Sequence, residues 1–239
     1  MDNHFKISCM IPCYNEEECI TGTVEELVKG FQKLGYPYEL VVIDHASRDK
    51  TLEMLQKLQE KHSSVKVIKM SQNIGYGGII NLGLREFTKG SIIGWTCADG
   101  EVKAEDTVQL VDFLIQNTDY AAVKASRINR NQGYRKFISG KYNHLVNALF
   151  RIKTTDINGW PLFVRSEVYD GLNIGLKNWV INIEILHKLQ KKNLKFKDID
   201  CVYQGRKGGR SKVNMLTIFA FIYQVILYKI QVLISKNKE

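Results

Sequence analysis

Short apolar segments and longer amphipathic segments alternate along the first 126 residues, and this alternation constrains the fold more than any other feature. Five segments rich in β-branched residues predict strands, at 7–11, 39–43, 65–70, 91–96 and 121–126. Four segments with helical periodicity separate them, at 16–34, 49–61, 78–87 and 106–116. Strands joined by crossover helices form parallel sheets with helices on both faces. The sequence therefore predicts an α/β fold with a mostly parallel, Rossmann-like sheet.

Acidic residues at 16–18 open the first of these helical segments. Negative side chains in a first turn suit the helix dipole, so we expect the helix to begin at Glu16.

Composition and charge narrow the class of protein. Of 239 residues, 44% are hydrophobic and 25% are charged, which excludes disorder as the main state. The net charge of +9 favours anionic partners: phosphates, nucleic acid or an acidic membrane surface. No nucleic-acid-binding motif accompanies it, so we expect no nucleic-acid partner. The five cysteines include no CxxC pair, and residues 1–6 are polar, which predicts free thiols and a cytoplasmic protein.

Four loops follow the first four predicted strands, at 12–16, 44–49, 73–78 and 97–101. They carry carboxylates, small residues and aromatic rings. In sheets of this kind, ligands bind outside the carboxyl ends of the strands. We therefore expect the four loops to meet at one edge and to form a binding site.

The chain changes character after residue 126. Residues 127–153 are basic and mostly helical in pattern, 156–170 suggest a turn with short strands, and 180–191 predicts a helix. A glycine- and cation-rich loop at 204–214 precedes a nearly continuous apolar segment at 215–234.

Seven segments, in this order, carry a resemblance to a known family. They are ISCMIPCYNEEE, VVIDHASRDKT, NIGYGGIINLGL, KASRINR, DINGWPLFVRSEVY, INIEIL and YQGRKGGRSK, which together span roughly residues 6–214. The chain resembles the inverting GT-A glycosyltransferases of family 2, which include dolichol-phosphate mannosyltransferase and bacterial polyprenyl-phosphate glycosyltransferases. The resemblance implies transfer of a sugar, with inversion, from a UDP- or GDP-linked donor to dolichyl or undecaprenyl phosphate.

The resemblance also divides the chain. It implies a nucleotide-sugar-binding half at 1–126, an acceptor-binding half of the same domain at 127–213, and an apolar C-terminal helix at 214–239. The residues it places in the nucleotide-sugar site are Pro12, Tyr14, Glu16, Asp44, His45, Ser47, Asn73, Gly77, Ala98 and Asp99.

The resemblance implies a divalent metal, Mg²⁺ or Mn²⁺, that neutralises the departing diphosphate. Asp99 occupies the family's metal position, and Glu101 follows it by two residues. The family usually has Asp-x-Asp here, but this chain has Cys97 at the first position. A second departure is His45, where the family often has Asp. The first puts the metal dependence in question, and the second puts the nucleotide identity in question.

The second half supplies cations for an acceptor phosphate. The resemblance implies an acceptor and diphosphate site built from Arg127, Arg135, Ser139, Arg206, Arg210, Ser211 and Lys212. Arginine suits this role because its guanidinium can grip phosphate oxygens in a bidentate manner. The candidate catalytic residues are Asp99, Arg127 and Glu184.

Relatives often carry Asp where this chain has Asn182, two residues before Glu184. A weakened base site favours a phosphate acceptor, which is already ionised, over a hydroxyl that must lose a proton. Two alternatives stay open. One is a glycosyltransferase acting on a hydroxyl of a polysaccharide or lipid-linked glycan. The other is a degenerate nucleotide-sugar-binding protein without turnover, which the absent carboxylate at position 97 suggests.

The apolar segment at 215–234 is flanked by cations on both sides. Thr217, Gln224 and Gln231 recur every seven residues and form a narrow polar stripe on a helix. This pattern favours a helix that lies in a membrane interface or packs in a homo-oligomer. A membrane-spanning helix and a buried core helix are the alternatives. We expect a peripheral protein at the cytoplasmic face of the membrane.

Overall fold

The computed structural model describes residues 5–128, 134–205 and 215–236. In these ranges the strands are β1 (Ile7–Cys13), β2 (Tyr38–Asp44), β3 (Val65–Lys69), β4 (Ile92–Trp95), β5 (Tyr120–Ile128), β6 (Leu162–Arg165) and β7 (Lys195–Val202). The helices are α1 (Ile20–Leu34), α2 (Thr51–Lys61), α3 (Tyr76–Leu82), α4 (Ala104–Gln116), α5 (Tyr134–Phe150), α6 (Ser166–Leu172), α7 (Ile181–Lys191) and α8 (Met215–Lys236).

All seven strands form one mixed sheet in the order β3-β2-β1-β4-β6-β5-β7. β1 to β4 pair in parallel, and β5 pairs in parallel with β7. β6 is antiparallel to both of its neighbours, β4 and β5. The prediction of a mostly parallel sheet is confirmed, and β6 is the strand that makes the sheet mixed.

Two apolar clusters cover the two faces of this sheet. On one face, Val24, Leu27 and Phe31 of α1 are buried with side chains of α4. On the other face, Ile79 and Ile80 of α3 are buried with side chains of α7. The central strands are apolar along their whole length because both of their faces are covered.

The predicted start of the first helix is wrong. α1 begins at Ile20 and has no acidic residue in its first turn. The preceding residues are held to the loop after β2 and to the start of α2 instead, because the Asn15 N–H donates to Ser47 Oγ at 3.0 Å and the Glu16 N–H donates to Thr51 Oγ1 at 2.8 Å. Asn15 also adopts a left-handed backbone conformation, with a φ of 55°. The segment predicted as a helix at 78–87 begins two residues earlier, at Tyr76, and its last turn, Gly83–Phe87, is a π-helix.

α8 confirms the predicted C-terminal helix and packs on the domain through one side. Val225 and Tyr228 are buried in the same apolar cluster as α7. Large apolar side chains on the rest of its surface are exposed, namely Ile222, Tyr223, Ile226, Leu227, Ile230, Leu233 and Ile234. Within residues 5–128, 134–205 and 215–236, no helix has both the length and the apolar character that crossing a bilayer requires.

Candidate functional site

The four loops that follow β1 to β4 run from 12–16, 44–49, 73–78 and 97–101, and we call them together the loop edge. β1 lies between β2 and β4, so the carboxyl ends of these three strands are adjacent. The His45 N–H donates to the Cys13 carbonyl at 2.9 Å, and the Thr96 N–H donates to the Met10 carbonyl at 3.0 Å. Strand order alone therefore places the loops after β1, β2 and β4 next to one another, as expected.

His45 joins two loops of this edge. Its side chain is buried, and its Nε2 accepts a hydrogen bond from the Ile74 N–H at 2.7 Å. An accepting Nε2 requires the neutral tautomer with the proton on Nδ1. Asn73 stabilises the same loop, because its Oδ1 accepts the Gly75 N–H at 3.0 Å. His45 thus fixes the loop that the sequence singles out, and its contact with a nucleotide base stays a prediction.

Gly77 permits the close approach of a second loop. A Cβ atom at this position would collide with the backbone carbonyl of Asn178. Trp179, the next residue of that loop, stacks on Tyr76 with ring centroids 4.8 Å apart. The loop edge is therefore closed on one side by the segment that precedes α7.

The remaining predicted nucleotide-site residues lie on the first two loops. Asp44 is buried, and its Oδ1 accepts the Ser47 N–H at 3.3 Å. Ser47 Oγ in turn accepts the Asn15 N–H at 3.0 Å. Glu16 is buried, whereas Pro12 and Tyr14 are half-buried. The structure brings all of these predicted residues to the same edge.

The loop at 97–101 holds two carboxylates that are almost completely buried. Asp99 Oδ1 accepts the Glu101 N–H at 3.1 Å, and Glu101 Oε1 accepts the Tyr203 hydroxyl at 2.8 Å. The Ala98 carbonyl accepts the Thr23 hydroxyl at 3.0 Å, which ties the loop to α1. Burial and the neighbouring Asp99 raise the pKa of the Cys97 thiol well above its usual value. Cys97 is therefore a neutral thiol where the family usually has a carboxylate.

Arg127 lies at the end of β5, and its side chain is 1% exposed. Its Nε and Nη2 donate to the two carboxylate oxygens of Asp156 at 2.7 and 3.1 Å. The guanidinium carbon lies 3.9 Å from the ring centroid of Trp160. Asp156 therefore occupies the Nε–Nη2 edge of the guanidinium, and a contact between Arg127 and a phosphate stays a prediction. The third nitrogen, Nη1, has no hydrogen-bond partner in the described part of the chain.

A second ion pair lies three residues earlier in β5. Lys124 Nζ donates to the Asp156 carbonyl at 2.5 Å and lies 3.4 Å from Asp198 Oδ1 of β7. Burial lowers the pKa of Lys124, although Asp198 and Asp156 oppose that shift. We call Lys124, Arg127, Asp156 and Asp198 the ionic network. The network fixes the segment around residue 156 against β5 and β7.

Glu184 lies in the first turn of α7 and is buried. Its carboxylate accepts the Leu176 N–H at 2.8 Å, the Gly175 N–H at 3.1 Å and the Lys188 ammonium at 2.7 Å. These contacts hold the loop that precedes α7. A role for Glu184 as a catalytic base stays a prediction.

The other predicted acceptor residues are less fully described. Arg135 and Ser139 belong to the first part of α5. Arg206, Arg210, Ser211 and Lys212 lie outside the described residues.

Sequence reasoning missed four polar residues that the site depends on: Lys124, Asp156, Trp160 and Tyr203. Each lies within or beside one of the quoted motifs, two of them in DINGWPLFVRSEVY. Their partners are 29 to 102 residues away along the chain, and nothing in the local pattern identifies those partners.

Comparison with known proteins gives a consistent result. Residues 8–173 match the family model described as Glycosyl transferase family 2. The dolichol-phosphate mannosyltransferase of Pyrococcus furiosus is 29% identical over 92% of this chain and 62% of its own length. The undecaprenyl-phosphate 4-deoxy-4-formamido-L-arabinose transferase of Pectobacterium atrosepticum is 24% identical over 95% of this chain and 68% of its own length.

A solved structure shares the fold. Glucosyl-3-phosphoglycerate synthase from Mycobacterium tuberculosis, in complex with Mn²⁺, UDP and phosphoglyceric acid, aligns with a TM-score of 0.72 and 18% identity. The alignment covers 93% of this chain and 76% of that one. The chain spans about three fifths to two thirds of the length of the curated relatives it matches.

Proposed function

The chain belongs to glycosyl transferase family 2, and from that membership we propose that it transfers a sugar, with inversion, from a UDP- or GDP-linked donor to a polyprenyl phosphate. The observation that carries the proposal is the agreement between two relatives. An archaeal and a bacterial protein, which differ in the sugar they are named for, are both named for a polyprenyl-phosphate acceptor. Both alignments cover more than nine tenths of this chain.

The loop edge is the proposed donor site. Its buried carboxylates and closely held backbone surround the carboxyl ends of β1, β2 and β4, where this class of sheet binds nucleotides. In this proposal Pro12, Tyr14 and Asp44 bind the nucleoside, and residues 97–101 face the diphosphate. His45 keeps the third loop in place rather than adding a charge, because its neutral Nε2 is already engaged.

The donor set of the loop at 97–101 is compatible with a divalent cation. In the ranges that the structure describes, no three His, Cys, Asp or Glu side chains lie together as a metal cluster. Mg²⁺ is nevertheless often held by one or two carboxylates together with substrate phosphates and water. Asp99 and Glu101 supply two such carboxylates in one loop. A cation bound there would neutralise charge on the departing diphosphate.

The surroundings of Glu184 favour a phosphate acceptor over a hydroxyl. A hydroxyl acceptor needs a general base, but the Glu184 carboxylate is occupied by two backbone N–H groups and a lysine. Its neighbour Asn182 has no basic group to offer. A phosphate monoester has a second pKa near ~6 and is largely ionised at neutral pH, so it needs no base.

α8 is the proposed membrane contact. Its exposed apolar side chains lie on the face away from the buried Val225 and Tyr228. A helix that buries such a face in the headgroup region lies along the membrane surface. It would hold the domain beside the lipid that carries the acceptor phosphate. None of the five cysteines, all of which lie in the described residues, forms a disulfide, which is consistent with a reducing, cytoplasmic side of that membrane.

The decisive experiment measures turnover of a panel of UDP- and GDP-sugars with a short-chain polyprenyl phosphate, with and without Mg²⁺ or Mn²⁺. We expect one donor to yield a polyprenyl phosphosugar with inverted anomeric configuration. A parallel panel of hydroxyl acceptors provides the comparison. Transfer to a hydroxyl in place of the phosphate would reject the proposed acceptor, and failure with every donor and acceptor would favour a binding protein without turnover.

A further inference from the structure

Two buried N–H donors without partners in the described part of the chain belong to two stacked side chains near the end of β5. They are Arg127 Nη1 and Trp160 Nε1, and neither makes a hydrogen bond in the described part of the chain. Their side chains stack, with the guanidinium carbon 3.9 Å from the indole centroid. A buried donor without a partner costs free energy, so such groups usually mark a bound ligand, a water molecule or a functional role. Two of them in one stacked pair require an explanation.

Hydrogen bonds hold both the guanidinium of Arg127 and the backbone of the segment that carries Trp160. Asp156 holds two of the three guanidinium nitrogens. The Gly159 N–H donates to the Asp156 carbonyl at 2.9 Å, and the Ala125 N–H donates to the Pro161 carbonyl at 2.8 Å. The segment that carries Trp160 is therefore bonded to β5 and within itself. The guanidinium of Arg127 cannot turn toward another acceptor without breaking its two bonds to Asp156.

The pair lies beside the proposed donor site. Burial acts to lower the pKa of Arg127, but the carboxylate of Asp156, and more weakly Glu101 and Tyr76, raise it above its ordinary value. Glu101 belongs to the loop at 97–101, and Tyr76 begins α3. The Tyr203 N–H donates to the Ile128 carbonyl and the Gln204 N–H donates to the Glu101 carbonyl, both at 3.0 Å, so residues 203 and 204 join the end of β5 to the loop at 97–101. Arg127 therefore lies beside the part of the loop edge that we propose for the diphosphate.

We propose that Arg127 and Trp160 form a two-donor site for one phosphoryl oxygen, and that Asp156 is the positioning residue that orients the guanidinium. The inference rests on the proposed function for the source of that oxygen, either the acceptor phosphate or the diphosphate of the donor. Arg127 contributes one charged donor, Nη1, and Trp160 contributes a neutral one, Nε1.

The chemistry of the pair selects an anionic oxygen over a neutral group. A phosphoryl oxygen accepts several hydrogen bonds at once and is attracted by the guanidinium charge. Asp156 keeps that charge in one orientation, so little conformational entropy is lost on binding. Trp160 is required for its N–H as well as for its ring, which separates this site from a simple cation–π contact.

The test compares Trp160→Phe with Trp95→Phe in the full chain. Both changes remove a buried indole N–H, but Trp95 belongs to β4, lies beside Tyr76 and does not stack on Arg127. Binding is measured by calorimetry with three probes: a short-chain polyprenyl phosphate, UDP and GDP. We expect Trp160→Phe to weaken binding of one phosphorylated probe roughly tenfold, as for loss of a hydrogen bond to a charged group. Trp95→Phe should bind it within about twofold of the unmodified chain.

Asp156→Asn tests the positioning role. It is nearly isosteric but removes the charge that orients Arg127. The Trp160→Phe experiment identifies one of the two substrates, the polyprenyl phosphate or the nucleotide-sugar, as the one that binds this pair. For that substrate we expect Asp156→Asn to lower kcat/KM roughly tenfold, with KM for the other substrate unchanged. Equal losses for both substrates would mean that Asp156 acts only on the fold.

The outcomes separate this site from the proposed function. Weaker binding of the polyprenyl phosphate assigns the oxygen to the acceptor, and weaker binding of UDP or GDP assigns it to the donor. Equal binding of every probe by the two tryptophan variants overturns the inference, as does failure of the unmodified chain to bind any probe. Probe binding without sugar transfer would reject the proposed function and leave the site in place.

Discussion

The loop edge and the ionic network hold chemically important side chains in opposite ways. At the loop edge, side chains accept hydrogen bonds from nearby backbone N–H groups, as Asp99 does from Glu101 and His45 does from Ile74. In the ionic network, charged side chains hold one another, as Arg127 and Asp156 do. Every residue supplies a backbone N–H whatever its side chain is. We therefore expect the loop edge to tolerate replacements such as Cys97, which stands where the family usually has Asp. A network of mutually paired buried charges does not tolerate the loss of a member.

The largest effect on activity is expected at the loop edge, from Asp99→Asn. The asparagine Oδ1 can still accept the Glu101 N–H, so the loop should keep its conformation, but the charge that we propose faces the diphosphate is lost. We expect kcat/KM to fall by a factor of about 100 or more, equivalent to roughly 2.7 kcal/mol of transition-state stabilisation. The measurement is steady-state transfer with Mn²⁺ present.

Glu101→Gln is the matched variant, because glutamine can keep the hydrogen bond from Tyr203. We expect a smaller loss of rate and a higher Mn²⁺ concentration for half-maximal activity. Full activity of both variants in the presence of EDTA would contradict a metal role for this loop. Neutralisation of the diphosphate by lysine and arginine side chains would then be the better account.

The largest effect on stability is expected in the ionic network, from Lys124→Met. Methionine fills a similar volume, but it leaves Asp198 without its lysine partner. Removing one member of a buried ion pair typically costs about 3 kcal/mol or more in the free energy of unfolding. Urea denaturation of both chains measures the difference.

The control for this variant is Lys195→Met, on β7, the strand that also carries Asp198. Lys195 forms an ion pair with Asp119 at 2.8 Å, but both side chains are largely exposed. Water and salt screen such a pair, so we expect little change in stability. Similar losses in the two lysine variants would show that burial does not set the strength of these pairs, and the contrast between the loop edge and the ionic network would lose its basis.

The same contrast explains how far the sequence could predict this molecule. The strand–helix alternation predicts the parallel part of the sheet because each βα unit is local in the chain. The loop edge follows from it, since the loops after β1, β2 and β4 must lie at one edge. The start of α1 could not be predicted, because the backbone N–H groups of residues 15–17 donate to side chains of the loop after β2 and of the first residue of α2, which holds them outside the helix.

The ionic network was beyond sequence reasoning for a related reason. Arg127 was singled out, but its partner Asp156 is 29 residues away, at the start of a segment whose pattern suggested a turn with short strands. The antiparallel insertion of β6 between β4 and β5 brings the two together. No periodicity in a single sequence reveals that insertion, so the pairing of Arg127 with Asp156 could not be predicted.

α8 belongs to neither the loop edge nor the ionic network. Its exposed apolar face is the part of the surface that we propose binds a membrane. We expect the full chain to float with liposomes that contain anionic lipid, and Ile226→Glu combined with Leu233→Glu to weaken this binding at least roughly tenfold. Both side chains are exposed, so the domain should stay folded. Gln56→Glu with Gln116→Glu adds the same charge at exposed positions on α2 and α4 and should bind like the unmodified chain.

Unchanged flotation of the Ile226→Glu and Leu233→Glu variant would reject the membrane contact. In that case sedimentation of the full chain distinguishes the remaining role of the helix. A dimer that dissociates on the same two substitutions would assign the exposed face to a second copy of the chain.

The smallest expected effect concerns the aromatic contact that joins α8 to the domain. His187 Nδ1 lies 3.0 Å from the Tyr228 hydroxyl, and both rings pack on Phe150. Burial lowers the pKa of His187, and the nearby charges of Lys229, Lys191 and Lys188 lower it further, whereas Glu184 opposes them. The unfolded chain therefore takes up this proton at a higher pH than the folded one does, and acid favours unfolding.

The direction of this pKa shift sets the pH range in which stability changes. The contribution of His187 is complete above its ordinary pKa of about 6.5 and falls as the pH drops from there toward the lowered folded value, below which it changes no further. Solvent screens this half-buried ring, so we expect a loss of less than about 1 kcal/mol. Urea midpoints at pH 8, 6.5 and 5 measure this loss of stability. We expect His187→Gln to flatten the dependence of the midpoint on pH in this range. The control is His144→Gln at an exposed position, which keeps every contact among His187, Tyr228 and Phe150. An acid-side slope that is the same in His187→Gln as in the unmodified chain would assign the titration to another group and leave α8 attached through apolar packing alone.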